Sequence, residues 1–402
     1  MWYMEARVSS KTSPCEACGD FPVNHFLTYI DKTIAVWEHD WILSRGERGV
    51  LSRFSKALRA QAIILGPHLI RVLHILCGGE TRTEPTFACV PRAYAMWQEA
   101  QRRHMKMEQL LLFGSAIDSY RVRIKNRWRY FESLPIPPER EVRSFEWADD
   151  KLLFKQFLKR HAIPVAEARV ATSLTDAHKM RTELHMPVVV KPRLGSNSRH
   201  TTLFVQTSAQ FDDAFALAQQ LCRYVLFEEH LYGHLCRATV VDGRLVGFLE
   251  SRQPTVTGDG VQTIRALVAE KNAHKHERVA DVVLTEENQA HIYRQGHGLD
   301  SIPKHGVVLG VSRLPGRLMG GQTREMLEEV HPKLRQYVEK AATLLRAPLV
   351  GFDLIIPDAA ADPDDQTWGI LEANTVPFIE IHNDPLYGKP SNVASPVWDL
   401  WK

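Results

Sequence analysis

The sequence lacks a long hydrophobic run, an excess of one charge and an abundance of cysteine. In its 402 residues no apolar stretch approaches the roughly 18 residues that cross a bilayer. The N-terminus does not lead into an apolar segment with a small-residue cleavage site, so we expect no signal peptide. The net charge is +3, which argues against recognition of nucleic acid or membrane through the overall field. No internal repeat or low-complexity tract is present.

Cysteine is scarce, with six residues in a long chain, and this excludes a disulfide-built scaffold. We therefore expect a reducing, cytoplasmic location. Cys15 and Cys18 form a CxxC pair, but a zinc site needs two more ligands, and His25 and His39 are the nearby candidates. We favour a mobile N-terminal segment with two thiols over zinc or redox chemistry at this pair.

The composition is that of a globular protein, with 44% hydrophobic and 24% charged residues. Collagen-like, coiled-coil and wholly disordered chains are thereby excluded. The length predicts more than one domain. The sequence LPIPP at 134–138 is a stiff, extended break, and we place a domain boundary there. Beyond it, β-like runs alternate with helical stretches, which is typical of an α+β protein.

The N-terminal part, residues 1–140, carries two recognisable patterns. Apolar residues at helical spacing over 92–107 predict an amphipathic helix with Met96 and Trp97 in the core, and 58–77 is apolar with some helical spacing. Alternation over 120–131 predicts a β-hairpin with one apolar and one basic face. The basic face could hold phosphates or nucleic acid, but a solvated outer face is the favoured interpretation.

Three oxygen-bearing side chains lie in two apolar strands near the C-terminus. Asp353 lies in 349–356, and Glu372 and Asn374 share one face of 368–374 because they are two residues apart. The acidic stretch 359–366 is predicted to be the hairpin tip that joins the strands. Such oxygens are costly in an apolar setting unless they bind a cation, and their type suits Mg²⁺. We favour a magnesium site over a buried acid pair held by an arginine or backbone amides.

Two lysines are candidates for binding phosphate. Lys191 ends the β-branched strand 187–192, and the polar loop 193–200 follows it. Lys151 opens a predicted helix, whose first N–H groups and dipole favour anions. A surface turn and a solvated lysine are the alternatives. The apolar run 224–233 could present its backbone to a base such as adenine, although taken alone it is more typical of a core strand.

In this order the elements resemble the ATP-grasp superfamily. The elements follow one another in the order typical of that superfamily. They are Lys151 at a helix start, a strand ending in Lys191-Pro192, a small-residue loop, Glu228-x-x-Leu231, a strand with Asp353, and Glu372-x-Asn374. The sequence is most similar to the cyanophycin-synthetase-like branch, with D-alanine–D-alanine ligase and glutathione synthetase as relatives. The segment 258–264 (GDGVQTI), residues 299–303, Gly320-Gly321, His331-Pro332 and the ending around His382 support that branch. The resemblance covers about residues 145–402.

The resemblance implies an α+β, ATP-grasp fold. Two α+β lobes, 145–225 and 226–402, would clamp ATP, and a mixed helix and β-hairpin domain of unknown role, 1–140, would precede them. Lys151 and Lys191 would contact the phosphates. The closing loop would comprise Gly195, Ser196, Asn197, Ser198, Arg199 and His200. The adenine hinge would comprise Glu228, Glu229 and Leu231.

The resemblance also implies the metal and catalytic residues. Asp353, Glu372 and Asn374 would hold two Mg²⁺ ions, with Mn²⁺ as a possible substitute. Arg252 and Arg313, together with Lys191, would neutralise the transferring phosphoryl group and the acyl intermediate. The sequence departs from the branch at a few positions: Ser198 and His200 stand where it tends to have glycine, Leu235 where relatives often have an acid, and Phe378 where they usually have glycine.

The activity that this resemblance implies is an ATP-dependent, Mg²⁺-dependent carboxylate–amine ligase acting through an acyl phosphate on an amino acid or small peptide. An ATP-grasp kinase and a non-catalytic ATP-binding or nucleic-acid-binding module remain alternatives. The expected partners are small-molecule acid and amine substrates, without a membrane, and a homodimer is possible. Basic residues between 260 and 321 either attract an acidic substrate or form a solvated face, and these two readings stay open: His274, Lys275, His276, Arg278, Lys304 and His305.

Overall fold

The computed structural model describes residues 15–18, 22–44, 71–76, 78–85, 89–137, 140, 146–181, 183–195 and 199–402. Most of the apolar stretch 58–77 and the loop residues Ser196, Asn197 and Ser198 lie outside the described residues. Within the described ranges, no helix combines the length and the apolar character that crossing a bilayer requires.

The helices are numbered here in chain order. They are α1 (His25–Ser44), α2 (Pro91–Arg102), α3 (Lys151–Arg160), α4 (Leu174–Arg181), α5 (Ser208–Gln219), α6 (Ile264–Ala273), α7 (Glu286–Arg294), α8 (Pro332–Leu345) and α9 (Ala394–Asp399). Local sequence explains several starts: at α5 the side chain of Thr207 accepts from the Gln210 N–H while Gln210 reaches back, which is a capping box. Pro91 and Pro332 stand in the first turn of their helices, where a missing N–H costs nothing.

The strands are likewise numbered in chain order. They are β1 (Thr81–Arg82), β2 (Met107–Leu112), β3 (Ser115–Ile124), β4 (Arg127–Glu132), β5 (Ala168–Ala171), β6 (Val188–Pro192), β7 (Thr202–Val205), β8 (Val225–Glu229), β9 (His234–Val241), β10 (Arg244–Arg252), β11 (Thr255–Thr257), β12 (Val308–Gly310), β13 (Gln322–Glu325), β14 (Leu349–Ile356) and β15 (Gly369–Asn374).

The chain forms two compact units. The first comprises Met1–Glu47, Asp150–Leu153 and Glu167–His230, and the second Arg48–Asp149, Phe154–Ala166 and Leu231–Lys402. We expected a boundary near 134–138, but the residues on both sides of that break lie in the second unit. The reason is packing: Leu134 is buried in one core with Val241, Leu349 and Trp398, far along the chain. The lobe limits 145–225 and 226–402 remain a prediction from the resemblance.

The first unit contains a four-stranded antiparallel sheet in the order β5-β8-β6-β7. Helix α5 covers it with Phe211 and Phe215, whose rings lie 4.6 and 6.2 Å from that of Phe227 on β8. Burying such aromatic side chains contributes about 2–3 kcal/mol each to folding. Helix α1 adds Val36, which is fully buried against Leu194 and Cys222.

The second unit contains a five-stranded antiparallel sheet in the order β13-β10-β9-β14-β15. Its core includes Phe248 and Phe352 from the sheet and Leu334 and Val338 from α8. A second sheet, β1-β2-β3-β4, shares another core with α2 and α9. The expected helix over 92–107 is present but ends at Arg102, because His104 adopts a positive φ of 55° and the chain turns into β2.

The hairpin predicted at 120–131 is present as β3 and β4, but its two expected faces are wrong. Register pairs the buried Val122 with the exposed Arg129, and Arg123 with Trp128. Lys125 and Asn126 form a two-residue turn with both φ values positive, which sets this register. Basic and aromatic residues therefore share a face, and the Arg121 guanidinium lies over the Trp128 ring at 4.5 Å.

Candidate active site

The three oxygen-bearing side chains predicted near the C-terminus come together on one hairpin of the second unit. Asp353 on β14 is the cross-strand partner of Glu372 on β15, and Asn374 is the partner of Gly351. The Asn374 amide donates to Asp353 Oδ2 at 3.3 Å. The acidic stretch 359–366 lies between the two strands, as expected, and two of its aspartates pair with Lys333.

The sequence analysis weighed an arginine that would hold these acids as the alternative to magnesium, but it did not identify which arginine. Arg237, on the neighbouring strand β9, donates from Nε to Asp353 Oδ1 at 2.5 Å and from Nη2 to Asp353 Oδ2 at 3.0 Å. Both side chains are only 16% exposed. The signal for it was present in the sequence, since a charged residue inside an otherwise apolar strand requires a partner. Its other amino group, Nη1, is buried without a hydrogen-bond partner among the described residues.

The electrostatics of this hairpin favour added positive charge. Burial raises the pKa of Asp353, Arg237 lowers it, and the neighbouring Glu372 raises it again, so the net shift is upward. Burial also raises the pKa of Glu380, whose Oε2 is buried without a hydrogen-bond partner in the described part of the chain. A divalent cation bound here would lower the cost of ionising these carboxyl groups.

The two candidate phosphate lysines lie in the first unit. Lys191, near the end of β6, contacts both oxygens of Glu228 on β8, at 3.2 Å to Oε1 and 3.1 Å to Oε2. Lys151, the first residue of α3, donates to the Gly195 carbonyl at 2.6 Å. Lys151, Lys191 and Glu228 are all buried. A solvated surface lysine, which was the alternative for Lys151, is therefore wrong.

The start of α3 differs from the expectation that its N–H groups are available to an anion. The Asp150 carboxylate accepts from the Leu152 and Leu153 N–H groups at 3.1 and 3.2 Å, so the protein supplies its own anion there. Burial would raise the pKa of Asp150, but hydrogen bonds from His39 and Arg193 hold it below its usual value. Phosphate recognition at this point would rest on the Lys151 ammonium.

Arg193 connects this helix start to α1. Its Nε donates to both Asp150 oxygens at 2.8 and 3.0 Å, and its two amino groups donate to Asp40 at 3.1 and 2.7 Å. Burial lowers the pKa of Arg193, but these two acids raise it above its usual value. The sequence grouped Arg193 with the polar loop, and the structure instead gives it a fixed, fully paired position at the loop's beginning.

The remaining loop and hinge residues are placed as follows. Gly195, the last described residue before Ser196, has a φ of 154°, and Arg199 is the first described residue after Ser198. Glu229 ends β8 with its N–H bonded to the Glu167 carbonyl at 2.9 Å, and Leu231 is the first residue of this stretch in the second unit. The expected strand with a polar connector after it is therefore confirmed, and the hinge roles stay a prediction.

The second unit places the two candidate catalytic arginines differently. Arg252 ends β10, is 48% exposed at its side chain and donates from Nε to Glu250 at 2.5 Å. Arg313 is half-buried near Arg294, and burial together with that like charge lowers its pKa to about 10. Burial of His291, together with the positive charges of Arg313 and Arg294, lowers the pKa of its imidazole to about 4. Positive groups in partial burial provide a favourable site for an anion.

Several residues that carried the resemblance have structural roles. Gly258 fits against the Lys304 carbonyl, from which an added Cβ would be 2.4 Å away. The Asp259 carboxylate accepts from the Val261 and Gln262 N–H groups, each at 2.8 Å, and Thr263 caps α6 through the Ala266 N–H. This motif therefore builds a turn and a helix start.

His382 belongs to a buried network of the second unit. Its Nδ1 lies 2.7 Å from Glu325 Oε2 and its Nε2 2.8 Å from Thr239 Oγ1, and it is fully buried. Of the departures from the branch, Phe378 is 47% exposed with the Arg92 guanidinium 5.5 Å from its ring centre, and Leu235 pairs with Ser251 in the sheet.

The positive residues of the insertion are partly paired. Arg278 is bonded to Asp384, which also accepts from Arg317 at 3.0 Å, and Lys275 lies 3.3 Å from Asp281. This pairing reduces the positive field that the sequence alone suggested for the segment.

The sequence of this chain is similar to those of two kinds of known protein. No protein-family model matches the chain. It is 29% identical over 266 residues to cyanophycin synthetase of Geminocystis herdmanii, a match that covers 63% of this chain and 30% of that protein. It is 25% identical over 261 residues to the glutathione biosynthesis bifunctional protein of Clostridium perfringens, covering 63% of this chain and 34% of that one. The chain thus spans about a third of the length of these relatives.

A solved structure shares the fold. The crystal structure of a bifunctional glutathione synthetase from Pasteurella multocida superposes with a TM-score of 0.52 and 24% identity, covering 76% of this chain and 42% of that one. The expected α+β, ATP-grasp fold and the resemblance to cyanophycin synthetase are confirmed.

Proposed function

We propose that this ATP-grasp chain is an ATP-dependent and Mg²⁺-dependent ligase that joins a carboxylate to an amine through an acyl phosphate. The observation that carries the proposal is the hairpin that brings Asp353, Glu372 and Asn374 together. Similarity to cyanophycin synthetase and to a glutathione biosynthesis protein supports amide formation as the reaction class.

The hairpin residues fit a magnesium site. Two carboxylates and an amide oxygen are hard oxygen donors, and Mg²⁺ binds one or two carboxylates and completes its shell with water and phosphate oxygens. Burial and the neighbouring Glu372 raise the pKa of Asp353 although Arg237 is bonded to it, and a bound cation would lower that pKa. When bound, Mg²⁺ would neutralise charge on the phosphates of ATP.

The chain's own cations would supply the rest of the charge. The ammonium groups of Lys151 and Lys191 would bind phosphate oxygens, with the loop from Gly195 to Arg199 closing over them. Glu228, Glu229 and Leu231 would present side-chain and backbone polar groups to the base. Phosphoryl transfer needs alignment and neutralisation rather than a covalent catalyst, so this set of groups is sufficient.

The acyl half-reaction would use the arginines of the second unit. A substrate carboxylate oxygen attacks the γ-phosphorus, the bond to the bridging oxygen breaks, and ADP leaves. The amine then attacks the acyl carbon, loses a proton, and inorganic phosphate departs. Arg252 and Arg313 would stabilise the charge that develops on these oxygens, and Arg313, whose pKa is lowered by burial and by Arg294, gains from an anionic neighbour.

The proposed reaction requires an acid substrate and an amine substrate. We propose an amino acid or small peptide as the acid and a small amine as the acceptor. The cytoplasmic location, the binding of two ions rather than one, and a homodimer remain predictions.

The test measures ADP release from Mg²⁺-ATP with pooled amino acids and dipeptides, with and without hydroxylamine. Hydroxylamine converts an acyl phosphate into a stable hydroxamate. The matched variants are Glu372→Gln in the hairpin and Glu328→Gln, an exposed acid paired with Lys389. We expect substrate-dependent ADP and hydroxamate, lost in Glu372→Gln and kept in Glu328→Gln.

Two results would overturn the proposal. Turnover that yields a phosphorylated product and no hydroxamate would indicate a kinase. ATP binding without turnover in any pool, together with salt-dependent binding of DNA or RNA, would indicate a non-catalytic module.

A further inference from the structure

Four side chains of the first unit, none of which the proposed reaction uses as a reacting group, converge near the N-terminus. They are Cys15, Cys18, His25 and His200, and their ligand atoms all lie within 4.8 Å of one another. Cys18 and His200 are buried, at 3% and 1% exposed, and Cys15 and His25 are half-buried. The sequence offered only His39 as a fourth ligand, and this is wrong, because His39 lies 3.2 Å from Asp150 instead.

The distances match those of a tetrahedral zinc site. Zinc–sulfur bonds of about 2.3 Å and zinc–nitrogen bonds of about 2.05 Å place sulfur and nitrogen ligands about 3.6 Å apart at the tetrahedral angle. The Cys18 Sγ lies 3.2 Å from His25 Nε2 and 3.5 Å from His200 Nε2. The Cys15 Sγ lies 3.6 Å from His200 Nε2. The three sulfur–nitrogen distances, which link all four residues, are thus close to the spacing of ligands on one ion.

The orientation of His200 also suits metal binding. Its Nδ1 lies 2.8 Å from the Leu217 carbonyl oxygen, which can only accept a hydrogen bond. Nδ1 therefore carries the proton, and the lone pair of Nε2 is directed at the two thiols. A backbone carbonyl that fixes the outer nitrogen of a histidine is the usual support for a zinc ligand.

The backbone holds His200 in place for this purpose. It has a positive φ of 51°, a conformation that residues other than glycine seldom adopt. Its N–H donates to the Ala17 carbonyl at 3.0 Å, which joins it to the 3₁₀ turn Glu16–Cys18 between the two cysteines. The His200 side chain thus lies beside the two thiols on a residue with left-handed backbone conformation.

We propose that Cys15, Cys18, His25 and His200 bind one Zn²⁺ ion in a closed, structural site. Four protein ligands leave no coordination position for substrate, so the ion holds structure rather than reacts. It would tie the N-terminal turn and the start of α1 to the residue that ends the loop 193–200. The far end of that loop would then be fixed, while Arg193 fixes its beginning through Asp40 and Asp150.

The first experiment measures metal in the full-length protein purified without chelator or an affinity tag that binds metal. Elemental analysis should find about one zinc per chain, falling below about 0.2 in Cys18→Ser and in His200→Ala. Matched controls are His185→Ala, an exposed histidine of the same unit, and Cys222→Ala, a buried thiol outside the cluster. Both controls should retain the full zinc content.

A second experiment separates ligation from a packing role. Co²⁺ exchanged into the protein should give the visible bands of a tetrahedral ion together with sulfur-to-cobalt charge transfer. His200→Cys, which keeps a ligand at that position, should retain metal where His200→Ala does not. Zinc content needs no ATP turnover, so failure of the ligase proposal would leave this result unaffected.

The proposal is overturned by wild-type protein without stoichiometric zinc that also fails to bind added Zn²⁺ or Co²⁺. It is equally overturned if the variants of the four residues keep wild-type metal content. A Cys15–Cys18 disulfide in protein prepared under reducing conditions would instead indicate a redox pair.

Discussion

Replacing Arg237 with methionine tests the electrostatics of the acidic hairpin directly. Methionine keeps much of the side-chain volume and removes the charge. It leaves Asp353 beside Glu372 without the arginine that now bonds to both of its oxygens. The folded protein must then keep an unpaired carboxylate in a largely buried position or protonate it.

The size of the effect follows from the burial of the pair. Removing one partner of a buried ion pair costs about 3–5 kcal/mol. Both side chains are 16% exposed, so solvent screens part of this, and we expect about 2–4 kcal/mol at neutral pH.

The pH dependence has a definite sign. The pKa of Asp353 is raised in the folded state by burial and by Glu372, and loss of Arg237 raises it further. The penalty is therefore absent at low pH, where the carboxyl is protonated in both states. It appears as pH rises through the folded-state pKa of wild-type Asp353 and is complete above the higher folded-state pKa of the variant. Mg²⁺ should recover part of the loss, because it binds the folded state alone.

The assay is chemical denaturation followed by tryptophan fluorescence. Trp97, Trp368 and Trp398 are buried in the second unit and report its unfolding. A double-mutant cycle with Asp353→Asn should give a coupling energy of at least about 1.5 kcal/mol. A cost below about 0.5 kcal/mol for Arg237→Met, or the same cost with and without Asp353→Asn, would refute the reasoning.

Three further predictions concern separate sites. Lys191→Met should lower nucleotide-dependent turnover about 100-fold because a phosphate-binding charge is lost; unchanged turnover in a protein of normal melting temperature would contradict the role. Arg313→Met should raise the KM for the acid substrate about tenfold, because the half-buried cation that would face its carboxylate is lost, and an unchanged KM would argue against that contact. Gly247→Ala should destabilise the protein by roughly 1–3 kcal/mol in thermal unfolding, because its Cβ would lie 2.7 Å from the His382 ring; Gly298→Ala, whose nearest atom is 3.6 Å away, is the control.

The hairpin acids could be predicted from sequence because the information is local. Two strands separated by a short acidic loop pair with each other, and residues two apart share a face. The sequence therefore predicts that Asp353 and Glu372 lie close together, and in the structure they are cross-strand partners. Lys191 was placed at the end of its strand for the same reason, since β6 ends at Pro192.

The partners of these residues could not be predicted, because they lie far away in sequence. Arg237 meets Asp353 only when β9 and β14 pair. His200 reaches the two cysteines only when the first unit folds. Neighbouring histidines were the natural candidates, and one of them, His39, has a different partner. The prediction of one apolar and one basic face for the 120–131 hairpin was wrong for a different reason. The turn type sets the register of the two strands, and a shift of one residue exchanges the faces of one strand.

The first unit is built from three stretches, Met1–Glu47, Asp150–Leu153 and Glu167–His230. During synthesis, helix α1 leaves the ribosome long before Leu194 and Cys222, against which its Val36 packs. At 5–20 residues per second the delay is on the order of ten seconds. During that interval Cys15 and Cys18 have only His25 of the cluster beside them in the chain. Completion of the first unit is therefore a late, long-range folding event. A shortened chain that begins near residue 145 would lack the stretch Met1–Glu47, and with it helix α1.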